Sequence, residues 1–190
     1  MEQISVYQLT RDGCPPYLPT TTNRDRTEQE RCAQFQHLAI DEIVRLRQER
    51  NLRAVVLSAA WVYQDREIEA RLPGTLDFLG ALGLRILIIG PTPGLRYKAV
   101  ECLLRHEERF CAWPKAEYER NREKTMREFA GAIAGRAYVK FLDPTPFFCD
   151  ENRCRAARNG QILYTDASHV SASASRSFAG FARTDLSWLR

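Results

Sequence analysis

Near the C-terminus the chain reads Tyr164-Thr165-Asp166-Ala167-Ser168-His169-Val170-Ser171, an aspartate three residues before a histidine. Acyl transfer through a hydroxyl nucleophile uses these two residue types together. The imidazole takes and returns the proton, and the carboxylate fixes its tautomer and stabilises its cationic form. The pair follows the apolar Ile162-Leu163 and precedes a small-residue segment that can start a helix, so one loop presents both groups. The bland alternative is a surface-loop hydrogen bond without chemistry, because Asp-x-x-His is a common spacing. A nucleophile is harder to find. The serines are Ser5, Ser58, Ser168, Ser171, Ser173, Ser175, Ser177 and Ser187, and none follows Gly-Asp. Ser58 ends a strand-like run, but its Leu-Ser-Ala setting lacks the glycine that lets a tight turn project a hydroxyl.

The elements that must position these residues alternate between strand and helix. Ile4–Leu9 is a short β-prone segment. Thr27-x-x-Glu30 has the spacing of a capping box opening a long helix, with Phe35, Leu38, Ala39, Ile43 and Leu46 as its inner stripe and Asn51 as its stop. Ala54–Leu57 has the character of a fully buried parallel strand. Pro73 suits the first turn of the next helix, with Leu76, Leu79 and Leu82 inward and Gly83 at its end. Arg85–Ile89 is the strongest strand and stops at Gly90-Pro91. A helix through Cys102 and Leu104 follows, then the longest one, from about Pro114 to Gly135, burying Met126, Phe129 and Ile133. Tyr138–Leu142 is a further strand closed by Asp143-Pro144, and a cysteine-bearing loop leads to Asp166 and His169. This order predicts an α/β class, a three-layer αβα sandwich on a parallel sheet. In such sheets the ligand crevice lies outside the carboxyl ends of the strands, so the segments after Leu57, Ile89 and Leu142 share one rim.

At 190 residues the chain is read as one domain, and 44% hydrophobic with 27% charged residues is ordinary globular composition. No apolar run is long enough for a bilayer, and Met1–Tyr7 has no export signal. The net charge of +4 is mild, and its densest region, Glu117 to Glu128, interleaves both signs as a solvated helix face. That argues against a nucleic-acid groove. Six cysteines fall into local pairs: Cys14 with Cys32, Cys102 with Cys111, and Cys149 with Cys154. Disulfides in an oxidising compartment are the first reading, with free core thiols and a zinc site as alternatives. There is no Cys-x-x-Cys, and the only histidines are His37, His106 and His169. Disulfides without an export signal lead to the expectation of an N-terminally truncated chain.

With those residues in place the chain resembles the SGNH hydrolase superfamily, and more narrowly the extracytoplasmic SGNH domain fused to membrane acyltransferases that O-acetylate bacterial surface polysaccharides. Cys14-Pro15-Pro16 resembles the Cys-Pro-Pro found early in that domain. Val55–Trp61 is similar to its strand ending in small-small-Trp. Phe141-Leu142-Asp143-Pro144, followed by Cys149 and Cys154, resembles its approach to the catalytic loop. Leu163-Tyr164-x-Asp166-x-x-His169-x-Ser171 resembles its final block. The resemblance implies a flavodoxin-like sheet, with His169 as general base and Asp166 as its orienting carboxylate. It implies no cofactor and no metal. The acceptor would be a polysaccharide or sugar, the acyl donor a membrane acyltransferase domain, and the location the periplasmic or extracytoplasmic face of the membrane.

Two blocks depart from that pattern. The Gly-Asp-Ser nucleophile at the end of the first strand is missing, so the central strand is expected to be absent, leaving unpaired edges beside an exposed apolar face. Ala59-Ala60-Trp61 stands where Gly-x-Asn would supply an oxyanion donor. The Trp61 indole either donates there or is a buried rim aromatic. A different class of reading keeps Trp61, Tyr63, Tyr164 and His169 as the sugar platform of a non-catalytic carbohydrate-binding pseudoenzyme.

Overall fold

The computed structural model describes residues 5–18, 26–63 and 67–190, the side chains of 26, 28, 29, 63 and 67 excepted. Helix α1 (Arg26–Glu49) leads to strand β1 (Ala54–Leu57), and Asn51 breaks the helix in the left-handed conformation at φ 54°. A 3-10 turn (Trp61–Tyr63) precedes α2 (Glu67–Ala81), which Gly83 ends at φ 70° before β2 (Arg85–Ile89). Helix α3 (Ala99–Arg105), a 3-10 turn (Glu108–Phe110) and strand β3 (Ala112–Pro114) run into α4 (Lys115–Ile133). Then come β4 (Val139–Leu142), α5 (Thr145–Phe148), β5 (Arg153–Arg155), β6 (Ala157–Arg158), β7 (Gln161–Ile162), α6 (Ala172–Phe181) and α7 (Arg183–Ser187).

Strands β1, β2 and β4 form a parallel sheet in that order, with Val56 opposite Leu87 and Leu87 opposite Lys140. Because side chains alternate across a strand, β2 serves both faces. Ile86 and Ile88 pack with Leu72, Leu76 and Leu79 of α2 and Phe129 of α4, whereas Leu87 and Ile89 join Leu142, Ala182 and Leu186 of α7. Helices therefore cover both sides, and the architecture is the expected αβα sandwich. A Cβ on Gly90 would run into the Phe141 ring, so the exit of β2 needs glycine.

Several expectations need correction. Residues 5–10 form no strand: Val6, Tyr7 and Leu9 are exposed with no sheet to receive them, and Ile4 lies outside the described residues. Thr27 is inside α1 rather than capping it, and residues 19–25, just before the helix, are outside the described residues. Leu38 on α1 is 68% exposed, so the inner stripe is narrower than its spacing suggests. At 24 residues α1 is longer than α4 at 19. Pro73 lies within α2, not in its first turn. The stripe Ile68, Leu72, Leu76 and Leu79 is essentially inaccessible to solvent, and its burial outweighs the roughly 3 kcal/mol cost of an internal proline. Strand β1 is an edge strand, and Val56 is 45% exposed on the face that α6 and α7 cover at β2 and β4. The charged stretch of α4 is not wholly solvated either, since Arg122 is 9% exposed.

Leu76→Ala should lower unfolding stability by about 2–5 kcal/mol, read from urea titration. Val56→Lys should change it by less than about 0.5 kcal/mol while reducing self-association through the open edge in analytical ultracentrifugation.

Candidate active site

The loop carrying Asp166 and His169 is built on a hairpin. Asn159 and Gly160, at φ 52° and 77°, form the two-residue turn between β6 and β7 that positive φ at both positions allows. Beyond β7, Leu163 N–H donates to the Ala156 carbonyl at 2.8 Å, and Ser171 N–H donates to the Leu163 carbonyl at 2.9 Å. Tyr164 bridges Val170, and Thr165 N–H donates to the His169 carbonyl at 2.8 Å. Residues 165–169 are thus pinched off as a closed loop on a buried base. Ser171 then caps α6, accepting from Ala174 N–H at 3.1 Å and donating to the Ile162 carbonyl at 2.7 Å.

Inside the loop one Asp166 carboxylate oxygen accepts the amides of Ser168 and His169, both at 2.8 Å. The other lies 2.6 Å from His169 Nδ1. These backbone amides, first that of His169 and then that of Ser168, together with the imidazole hold the carboxyl far below its ordinary value. An ionised carboxylate only accepts, so Nδ1 carries the proton and Nε2 is left as the base. The imidazole is 77% exposed and the Asp166 side chain 42%. Among the described residues Nε2 has no hydrogen-bond partner. From outside the loop, Leu95 N–H donates to the Ala167 carbonyl at 2.6 Å and Ala99 N–H to the Asp166 carbonyl at 3.1 Å. The chain leaving β2 thereby straps the dyad to the carboxyl rim of the sheet. The pair can orient, hold and exchange a proton; it presents no nucleophile of its own.

The remaining predicted residues separate. Ser58 is exposed at the end of β1 and makes no hydrogen bond to His169. Trp61 is 1% exposed and its indole N–H donates to the Ile89 carbonyl at 2.7 Å. Its only donor is committed and its ring packs edge-on against Phe129, so it is the buried rim aromatic and not an oxyanion donor. Tyr164 is fully buried against Phe148 and supports the loop from beneath instead of touching a substrate. With both rings inside, the sugar platform loses two of its members; the Tyr63 side chain lies outside the described residues. All three cysteine pairs are disulfides, Cys14–Cys32, Cys102–Cys111 and Cys149–Cys154, with S–S distances of 1.96, 1.99 and 2.07 Å. No group of three or more metal-ligating side chains gathers among the described residues.

Sequence reading missed two features of this rim. The first is the strap of Leu95 and Ala99, whose backbone amides carry no sequence signal. The second is the pair formed by Arg122 and Asp143, both of whose nitrogen–oxygen contacts are 2.8–2.9 Å. Burial would raise the Asp143 pKa, but the hydrogen bonds from Arg122 and Thr145 outweigh it and keep it low. Its sequence signal was an arginine seven residues after Lys115 on the stripe with Tyr118 and Phe129. The pair borders an open cleft of about 410 Å³ lined by Lys115, Glu119, Arg122, Asp143, Thr145, Asp150 and Glu151, which does not include the dyad.

A loop at the carboxyl rim of a parallel αβα sandwich thus holds together two of the three residue types of a Ser-His-Asp triad. The chain belongs to the SGNH domain family in the form fused to AT3 domains, whose family model matches residues 2–183. It is similar in fold to the periplasmic domain of a lipopolysaccharide acetyltransferase from Salmonella ser. Paratyphi A, with a TM-score of 0.64 and 15% identity over 92% of this chain and 69% of that one. No curated protein matches the sequence significantly.

Asp166→Asn should replace the single Nδ1–H tautomer of neutral His169 with a mixture, read in the imidazole ¹⁵N shifts at alkaline pH. Because the folded carboxyl is depressed, Asp166 stabilises the loop at any pH above roughly 4. That contribution falls away as pH drops through the folded value. Melting temperatures followed down to pH 2 should show a shallower acid decline in the variant.

Proposed function

We propose that this domain handles O-acyl groups of a cell-envelope polysaccharide through serine–histidine–aspartate chemistry, with the serine contributed from outside these 190 residues. The observation that carries this reading is the 2.6 Å contact of Asp166 with His169 Nδ1, which leaves Nε2 of a largely exposed imidazole without a partner among the described residues. His169 takes the proton from the incoming hydroxyl as its oxygen attacks an acyl carbonyl. It returns that proton to the departing oxygen, and the acyl-serine then passes its acyl group to a sugar hydroxyl or to water. Asp166 stays ionised and stabilises the imidazolium formed in between. Neither Trp61 nor Tyr164 takes part, so backbone amides or groups brought with the serine supply the oxyanion donors.

Three further facts support the reading. The family is one of SGNH domains fused to AT3 domains, which points to a membrane acyltransferase as acyl donor. The structural neighbour is the periplasmic domain of a lipopolysaccharide acetyltransferase, which points to an envelope glycan as acceptor. Three disulfides suit an oxidising compartment, hence the periplasmic or extracytoplasmic face.

Acyl transfer should be measured in membranes of cells expressing the complete gene. His169→Ala should reduce turnover on the order of 10⁴-fold and Asp166→Asn about 10³-fold or more, at unchanged protein level. Full acylation by His169→Ala, with saturable glycan binding retained, would replace this reading with the non-catalytic carbohydrate-binding one.

A further inference from the structure

The strap between β2 and α3 is nearly free of hydrogen bonds along its first half. Gly90 N–H makes the last sheet bond, to the Leu142 carbonyl at 2.9 Å, and Leu95 N–H makes the first bond to the dyad loop at 2.6 Å. Between them lie Pro91, Thr92, Pro93 and Gly94, and the two prolines have no N–H to donate. Among the described residues these four make one hydrogen bond. Tyr118 Oη of α4 donates to the Pro91 carbonyl at 2.6 Å, and both partners are buried.

The place of this hydroxyl is itself fixed. Tyr118 is 2% exposed, its ring lies 6.1 Å from that of Trp113, and the Arg122 guanidinium sits 5.0 Å over it. Arg122 in turn is held by both carboxylate oxygens of Asp143. The preceding residue, Glu117, pairs with Arg96, so the first turn of α4 grips the strap at two points. Downstream the strap enters α3, whose hairpin with the following 3-10 turn is closed by the Cys102–Cys111 disulfide. Pro91 and Pro93 lock φ at about −65°. A segment this short and stiff transmits a shift at the Pro91 carbonyl to Leu95 instead of absorbing it. Leu95, Ala99, Tyr118 and Tyr164 also share one buried cluster.

We infer that Tyr118 is a positioning residue: its hydroxyl fixes the strap at Pro91, and the amides of Leu95 and Ala99 carry that placement to the loop of Asp166 and His169. The catalytic consequence rests on the acyl-transfer reading; the anchoring of the strap does not. Nε2 of His169 has to meet a hydroxyl brought from outside the loop, so a shift of the loop costs turnover while acceptor binding stays as it is.

The test uses the complete protein and Tyr118→Phe, which keeps the ring and removes only the hydroxyl. Hydrogen exchange of residues 94–99, followed by mass spectrometry, should quicken about two- to tenfold. Acyl turnover in membranes should fall about ten- to a hundredfold, with half-saturation by the acceptor unchanged. Leu76→Ala weakens the core away from the strap and should leave turnover per folded protein unchanged. Should Tyr118→Phe fail to fold, Pro93→Ala keeps the hydroxyl bond, frees φ at that position and should quicken the same exchange about two- to fivefold while lowering turnover. Wild-type turnover in Tyr118→Phe, with His169→Ala inactive, overturns the proposal and leaves the acyl reading standing. A loss of turnover with unchanged exchange, or an equal loss in Leu76→Ala, overturns it as well. If His169→Ala keeps full turnover, the acyl reading fails and exchange alone decides: quickened exchange sustains the anchoring, and unchanged exchange overturns it.

Discussion

The two-faced burial of β2 is the constraint on which the rest of the domain depends. Ile86, Leu87 and Ile88 are all at 0% exposure, which is possible only with a strand on each side and a helical layer on each face. Parallel pairing with β1 and β4 satisfies its backbone, and the two helical layers bury its side chains. The same strand fixes the rim, because the chain that leaves it at Gly90 must cross the carboxyl end of the sheet. There it meets the loop of Asp166 and His169 and donates two amides to it. Core packing and the candidate site are therefore coupled through one segment of backbone.

The dyad is locally determined to an unusual degree. Asp166 binds two amides and the imidazole within its own loop, so the spacing of three residues already dictates the contact. Local order does not by itself make an active site, however. At 77% exposure His169 is fully solvated on its outer side, and electrostatic stabilisation of an acyl-transfer transition state is strong only where water is excluded. The groups that would enclose it and supply the hydroxyl must approach from beyond the imidazole. The open side of the sheet, where β1 has no outer neighbour among the described residues and Val56 is uncovered, is the other surface this chain leaves unfinished.

The disulfides follow a common pattern. Each closes a short stretch of chain: Cys14–Cys32 ties the N-terminal segment to α1, Cys102–Cys111 closes the α3 hairpin, and Cys149–Cys154 closes the turn between α5 and β5. None crosses the sheet. Two of them are part of the core under the rim, where Cys111, Cys149 and Cys154 are buried with Phe148 and Tyr164, and each lowers the conformational entropy of the unfolded chain.

Sequence alone determined the features governed by near neighbours. The strong apolar runs of β2 and β4, the stops at Asn51 and Gly83, the paired cysteines and the Asp166–His169 contact all follow from spacing and from backbone preference. The Asn159-Gly160 hairpin turn was equally legible and would have placed β6 and β7. Tertiary structure decided what depends on partners distant in the chain. Pro73 sits within a helix because the burial of Ile68, Leu72 and Leu76 against the sheet exceeds its local penalty. Leu38 and Val56 are exposed because no layer reaches them, and residues 5–10 gain no strand because no edge pairs with them. Trp61 and Tyr164 were plausible ligand contacts by type and position; packing put both in the core. Burial is a property of what surrounds a residue, and one-dimensional spacing does not contain it.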